Sequence, residues 1–165
     1  MPKVVTKVGD VFAVPVDDGG CKYFQYVAND RTQLNSDVIR AFDATFQAGA
    51  KPDLADVVHG AVQFYAHCSV NLGVKLDLWQ RVGRVADLGQ LDALFRDTPD
   101  HPWKRGEEVT VSENWFVWGI NEPRREVGKL TGPDQTAEIG LVFSPHRIVN
   151  RLRTGEYGIV YPGYE

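Results

Sequence analysis

Residues 10–28 constrain this chain more than any other stretch. Asp10-Val11-Phe12-Ala13-Val14-Pro15-Val16 alternates at period two, which puts Phe12, Val14 and Val16 on one face of a strand. Asp17-Asp18-Gly19-Gly20 is a turn cluster. Cys21 to Ala28 returns as a second strand, with Tyr23, Gln25 and Val27 opposite Phe24 and Tyr26. The two runs predict an N-terminal hairpin. Pro15 has no amide hydrogen for a ladder, so the first strand is expected at a sheet edge or bent there.

Beyond the hairpin, Asn29 to Asp37 reads as a loop. Val38 to Asp43 is a short strand or one helical turn, and periodicity does not decide between them. Pro52-Asp53 can start a helical turn. Ala61 to Cys68 reads as a buried strand, and Leu72 to Leu78 is apolar and polar by turns. Leu88 to Phe95 is expected as a short helix, and Asp97 to Gly106, with its prolines, as a loop. Val109 to Val111 is strand-like. Trp115 to Ile120 is the most apolar run, with large side chains on both faces, so it belongs in the middle of a sheet. Asn121 to Arg124 turns the chain, and Arg125 to Leu130 returns. Ile139 to Phe143 and Tyr157 to Tyr161 are further expected strands. Ser144 as cap, Pro145 at the first helical position and Gly155 as stop frame a helix, Pro145 to Arg153, attached through Ile148, Val149 and Leu152.

With 165 residues and neither repeat nor linker, the expectation is a single globular domain, 1–165. Gly (16) and Pro (9) favour turns over long helices. The expected fold class is α+β: a mainly antiparallel, strongly bent sheet, SH3-like or barrel-like, with one C-terminal helix. Net charge −4 lacks the basic footprint of a nucleic-acid binder. Apolar runs fall far short of the roughly 20 residues that a membrane span needs. Two cysteines, Cys21 and Cys68, are too few for a disulfide framework, and no signal-peptide core opens the chain, so a reduced cytoplasmic protein is expected.

Chemistry-bearing residues are sparse. His59, His67, His101 and His146 show no helical metal spacing, and no HExxH, P-loop, GxGxxG or GxSxG occurs. No metal and no cofactor are expected. His67 and Cys68 are strand neighbours pointing to opposite faces, so they do not form a thiolate–base pair. His146, Arg147, Arg151 and Arg153 read as a solvated helix face in preference to a phosphate patch. Trp115 and Trp118 face opposite ways along a strand. Trp103, in a loop, is the expected exposed anchor. Asp17-Asp18 and Glu107-Glu108 form an acidic fringe that can steer a basic partner. The absence of a catalytic constellation leans toward a binding protein over an enzyme.

The stretch Lys7 to Val16, the turn Asp17 to Gly20 and the return Tyr23-Phe24-Gln25-Tyr26-Val27 resemble the immunity protein 26 family. Phe64 to His67 with Trp79 to Gly83 is similar to that family's second block, and Trp115 to Val127 looks like its later hairpin. The resemblance implies a bacterial cytoplasmic protein that binds and neutralises a cognate polymorphic toxin by occlusion. Asp17, Asp18, Trp103, Glu107 and Glu108 are the expected contacts with this protein toxin, itself expected to be basic. The family also includes a small protein described as a phosphotriesterase acting on organophosphates such as coroxon. That alternative needs an activated water, for which His59, His67 and His101 are the candidates.

Overall fold

The structure, a computed structural model, describes residues 4–101 and 111–165. Its elements are β1 (Asp10–Pro15), β2 (Gly20–Asp30), β3 (Ser36–Phe42), β4 (Phe46–Gln47), α1 (Leu54–Val58), β5 (Val62–Cys68), α2 (Val70–Lys75), β6 (Gln80–Arg84), β7 (Leu94–Asp97), β8 (Trp115–Gly119), β9 (Arg125–Gly128), β10 (Glu138–Ile139), β11 (Val142–Phe143) and α3 (Pro145–Thr154). The fold is α+β, built on two mostly antiparallel sheets. The larger runs β11-β5-β3-β2-β1-β6, with β4 also on β2; the smaller runs β10-β7-β8-β9.

The predicted hairpin is β1–β2, with Phe12 opposite Phe24 and Pro15 opposite Cys21. Its alternation sets the layers. Phe12, Val14, Phe24 and Tyr26 join Ile39, Ala41, Phe64, Ala66 and Cys68 on one face, under Trp79 and the α3 residues Ile148 and Leu152. On the other face, Val27 and Val38 meet Phe95 and Trp118 of the smaller sheet. Val11, Tyr23 and Phe42 on that same face meet Val57 and Val58 of α1. Because other elements cover both faces, the larger sheet need not close on itself. Its edges β11 and β6 do not pair, so the barrel-like form expected from sequence is not adopted. Bulges at Val11/Phe12, Tyr26/Ala28 and Ala41/Phe42 bend it instead.

The sequence placed the first strand at an edge or bent at Pro15, and β1 lies between β2 and β6, against the edge reading. The conflict disappears because β6 stops pairing at Ala13, two residues before the proline. Val38 to Asp43 resolves as the strand β3. The helix expected over Leu88 to Phe95 does not form. Arg40 donates to the carbonyls of Leu88 (2.7 Å) and Gln90 (2.7 Å), acceptors a helix would have used, and Gly89 stands at φ 58°. The stretch ends in β7. Leu72 to Leu78 instead contributes to α2, where Ser69 Oγ accepts from the Leu72 amide.

Two departures mark the C-terminal third. Ile139 to Phe143 is not one strand: β10 pairs in parallel with β7 and β11 in parallel with β5, so the chain switches sheets at Gly140. A Cβ on Gly140 would stand 2.1 Å from Trp118 Cη2. Tyr157 to Tyr161 is not a strand, because Arg147 donates to the carbonyls of Tyr157 (3.1 Å) and Gly158 (2.7 Å). The helix α3 is as predicted, with Ser144 Oγ accepting from the Arg147 amide and Gly155 left-handed at φ 87°. The buried Lys22 ammonium fastens its end, donating to Leu152 O (3.2 Å).

Candidate functional site

Adjacent residues along a strand face opposite ways, so the second sheet sorts its aromatics. Trp115 and Val117 face Leu130 and Ala137, while Phe116 and Trp118 face the larger sheet, as the three-residue spacing of the tryptophans predicts. Register then places Asp97 beside Phe116 on one side and Glu126 beside it on the other. This acid–aromatic–acid row crosses three strands and borders a cleft of about 890 Å³ that Pro99, His101 and Leu141 also line. Arg124 holds its guanidinium 4.4 Å from the Phe116 ring centroid, with Nε 3.3 Å from Glu126 Oε1. A cation over an aromatic face is an attractive arrangement.

Asp97 is the polar centre of the cleft. Its Oδ1 accepts the His101 Nε2–H at 2.7 Å and the Tyr161 hydroxyl at 2.9 Å. Burial, reinforced by the Asp97 charge, pushes the Tyr161 phenol well above its ordinary value, so it stays a donor. The carboxylate therefore sets the orientation of the imidazole. Thr98 and Asn114 line the cleft and are linked through Ser112 and Asp100. Ser112 Oγ donates to Asp100 Oδ2 at 2.7 Å, and Asn114 Nδ2 donates to the same oxygen at 2.8 Å. These two bonds, Asn114 first, hold the Asp100 carboxyl below its usual range.

A second polar constellation lies behind the row, between the sheets. His67 Nε2–H donates to Asp30 Oδ2 at 2.9 Å, and both side chains are fully buried. Trp118 Nε1–H donates to the same oxygen at 3.0 Å, and the Asn121 amide to Oδ1 at 3.1 Å. Burial alone would raise the Asp30 carboxyl, but these donors outweigh it and hold it below its ordinary value. Burial lowers His67 more than Asp30 raises it, so the imidazole is neutral at pH 7. The pair is a clamp joining β2, β5 and β8, not a surface group.

The structure separates the histidines singled out from sequence. His59 ends α1 in solvent, with Nδ1 2.6 Å from Ala55 O and Nε2 3.2 Å from Asp87 Oδ2. His67 sits in the buried clamp and His101 lines the cleft. Each faces a different aspartate. Among the described residues, no three His, Cys, Asp or Glu side chains converge as a metal-binding group. Cys68 is fully buried on the face opposite His67, and burial raises its thiol pKa far up, which leaves it protonated.

Asp17 and Asp18 form the exposed hairpin turn, with Asp18 left-handed at φ 59°. Asp17 is not solely a surface charge, because its Oδ1 lies 3.0 Å from Arg153 Nη2. Trp103, Glu107 and Glu108 lie outside the described residues. The α3 arginines are engaged within the fold: Arg147 on the following carbonyls, Arg151 on Glu138 at 2.9 Å, and Arg153 on Asp17. Sequence reading missed the cleft pair, although Asp97 and His101 are four residues apart. It also missed the row, since neither Arg124 nor Glu126 carries a motif.

No helix among the described residues is long and apolar enough to cross a membrane. Fold and cleft define a two-sheet α+β protein with an acid-flanked aromatic cleft. No family model, curated protein or solved structure matches the chain.

Proposed function

We propose that this chain is a binding protein that neutralises a cognate bacterial toxin, and that the cleft seats a basic side chain of that toxin. The observation that carries the reading is the Asp97–Phe116–Glu126 row with Arg124 over its aromatic centre. Arg124 rests on that ring face beside Glu126, so a guanidinium or ammonium of the partner seats there by displacing it. Net charge −4 and the exposed Asp17-Asp18 turn favour approach of such a partner. The resemblance of the N-terminal hairpin to toxin-immunity proteins supports the same reading.

Affinity capture from a lysate of the source organism tests it, with Glu126→Lys as the matched control. Glu126 is 69% exposed at its side chain, so the charge reversal leaves the fold intact. The expected result is one stoichiometric basic protein, retained by the parent chain and lost by the variant, whose toxicity to cells is relieved by co-expression. Equal retention by both chains, or a retained protein that is not toxic, overturns the reading.

The Asp97–His101 pair favours one alternative, a hydrolase acting in the cleft on phosphotriesters. Purified protein that hydrolyses a chromogenic phosphotriester, with the rate abolished in His101→Asn, would favour it. A rate unchanged in that variant would remove it.

A further inference from the structure

Among the described residues, Arg40, Arg96, Arg124 and Arg151 hold guanidinium groups over aromatic rings. Three of them are locked. Arg40 donates to the Leu88 and Gln90 carbonyls, Arg96 to Ala137 O, and Arg151 to Glu138. Arg124 is held differently. Its ring and ionic contacts among the described residues are Phe116, 4.4 Å from its guanidinium carbon, and Glu126 Oε1 at 3.3 Å. The side chains of this ion pair are 50% and 69% exposed. So exposed a pair contributes little, and Arg124 can leave the ring at small cost.

What it leaves is a site shaped to a side chain like its own. Phe116 lies on β8, with Asp97 across on β7 and Glu126 across on β9, each strand about 4.8 Å from the next. A guanidinium lying flat on the ring keeps its N–H donors in its own plane, pointing outward to both sides. Both flanking carboxylates have room for them. Glu126 is open to solvent. Asp97 Oδ1 is filled by His101 and Tyr161, but Oδ2 carries no hydrogen bond among the described residues, and Asp97 lines the cleft with its side chain 19% exposed. Arg124 already combines the stacked position with one of these two lateral contacts. An ammonium is a compact point charge without the planar fork, so it does not match ring and carboxylates together.

Resting on the toxin-binding reading above, we infer that the basic side chain seated in this cleft is an arginine of the partner, and that Arg124 is its intramolecular competitor. Titration of the full chain with N-acetyl-arginine N-methylamide and, separately, with N-acetyl-lysine N-methylamide tests it, followed by backbone amide shifts at constant ionic strength. The expected result is saturable shifts at residues 96–98, 114–117 and 125–128, with the arginine probe about two- to fivefold tighter. Arg124→Lys keeps the local charge but gives up the stacked plane. It is expected to tighten the arginine probe by a similar factor of about two to five, at an unchanged melting temperature. Arg124→Ala is expected to tighten it at least as much. Equal affinity for the two probes, or no gain in Arg124→Lys, overturns this inference and leaves the toxin-binding reading standing. No saturable shift at these residues with either probe overturns both.

Discussion

His67 donates its Nε2–H to Asp30 across 2.9 Å, with neither side chain exposed to solvent. The pair lies 37 residues apart in the chain and joins the end of β2 to the middle of the fold. Trp118 and Asn121 donate to the same carboxylate, so Asp30 is the acceptor on which both sheets converge.

Removal of that acceptor leaves the His67 and Trp118 donors buried without a partner and releases the part-buried Asn121 amide. Asp30→Ala is expected to cost about 2–6 kcal/mol, about 1–3 for each of the two buried donors left unpaired, and Asp30→Asn less, because an amide oxygen still accepts. Urea unfolding with both variants measures this. A loss below about 1 kcal/mol for Asp30→Ala would contradict the clamp.

The same pair predicts an acid-sensitive fold. Burial lowers the folded-state value of His67, so below its unfolded value of about 6.5 the unfolded chain takes up the proton more readily. Stability therefore falls as pH drops from 7 toward 5. Asp30, also lowered, adds a further loss below about pH 4. Exposed His59 is raised by its Ala55 and Asp87 hydrogen bonds and acts in the opposite direction, its stabilisation fading as pH rises through its folded value. His67→Gln isolates the buried term: its unfolding free energy between pH 7 and 5 should be flatter than the parent's. An identical slope in both proteins would rule the clamp out as the source.

Leu152 is 3% exposed and is a principal attachment of α3 to the larger sheet, together with Ile148. Leu152→Ala is expected to cost about 2–5 kcal/mol. An unchanged thermal midpoint would reject this packing role.

Two glycines are required by close approach of a tryptophan. A Cβ would stand 1.9 Å from Trp79 Cζ2 at Gly73 and 2.1 Å from Trp118 Cη2 at Gly140. Alanine at either site is expected to destabilise by about 1–3 kcal/mol or more. At Gly140 the crossing from β10 to β11 should also loosen, read as faster amide exchange at Gly140, whose N–H donates to Arg96 O at 2.7 Å. Wild-type exchange there would show that the neighbouring indole has room to move.

Reversal of Asp17 and Asp18 to lysine is expected to slow association with a basic partner and flatten its salt dependence. Stopped-flow on-rates at two ionic strengths measure this. The stability change should stay within about 1 kcal/mol, because the Asp17–Arg153 pair is largely exposed. An unaltered on-rate would take the turn out of the interface.

The hairpin and α3 were legible in the sequence because their signals are local. Period-two alternation over residues 11–27 decides which side chains share a face. Ser144, Pro145 and Gly155 each satisfy a terminal requirement of the helix they bound. The opposed directions of His67 and Cys68, and of Trp115 and Trp118, followed from the same alternation. The helix expected at Leu88 to Phe95 failed because Arg40, some 50 residues earlier, takes its carbonyls. The single strand expected over Ile139 to Phe143 failed because Gly140 is pressed against Trp118 between two sheets.

What the sequence determined by itself is therefore whatever depends on neighbours within about one turn or one strand: the alternating faces of the hairpin and of Trp115 to Trp118, and the two ends of α3. Tertiary structure alone decided that the sheet stays open, that His59, His67 and His101 part company, and that Asp97, Phe116 and Glu126 stand in a row. The physical reason is that cross-strand register and buried polar pairing depend on contacts between residues far apart in the chain, and composition and spacing carry no record of those contacts.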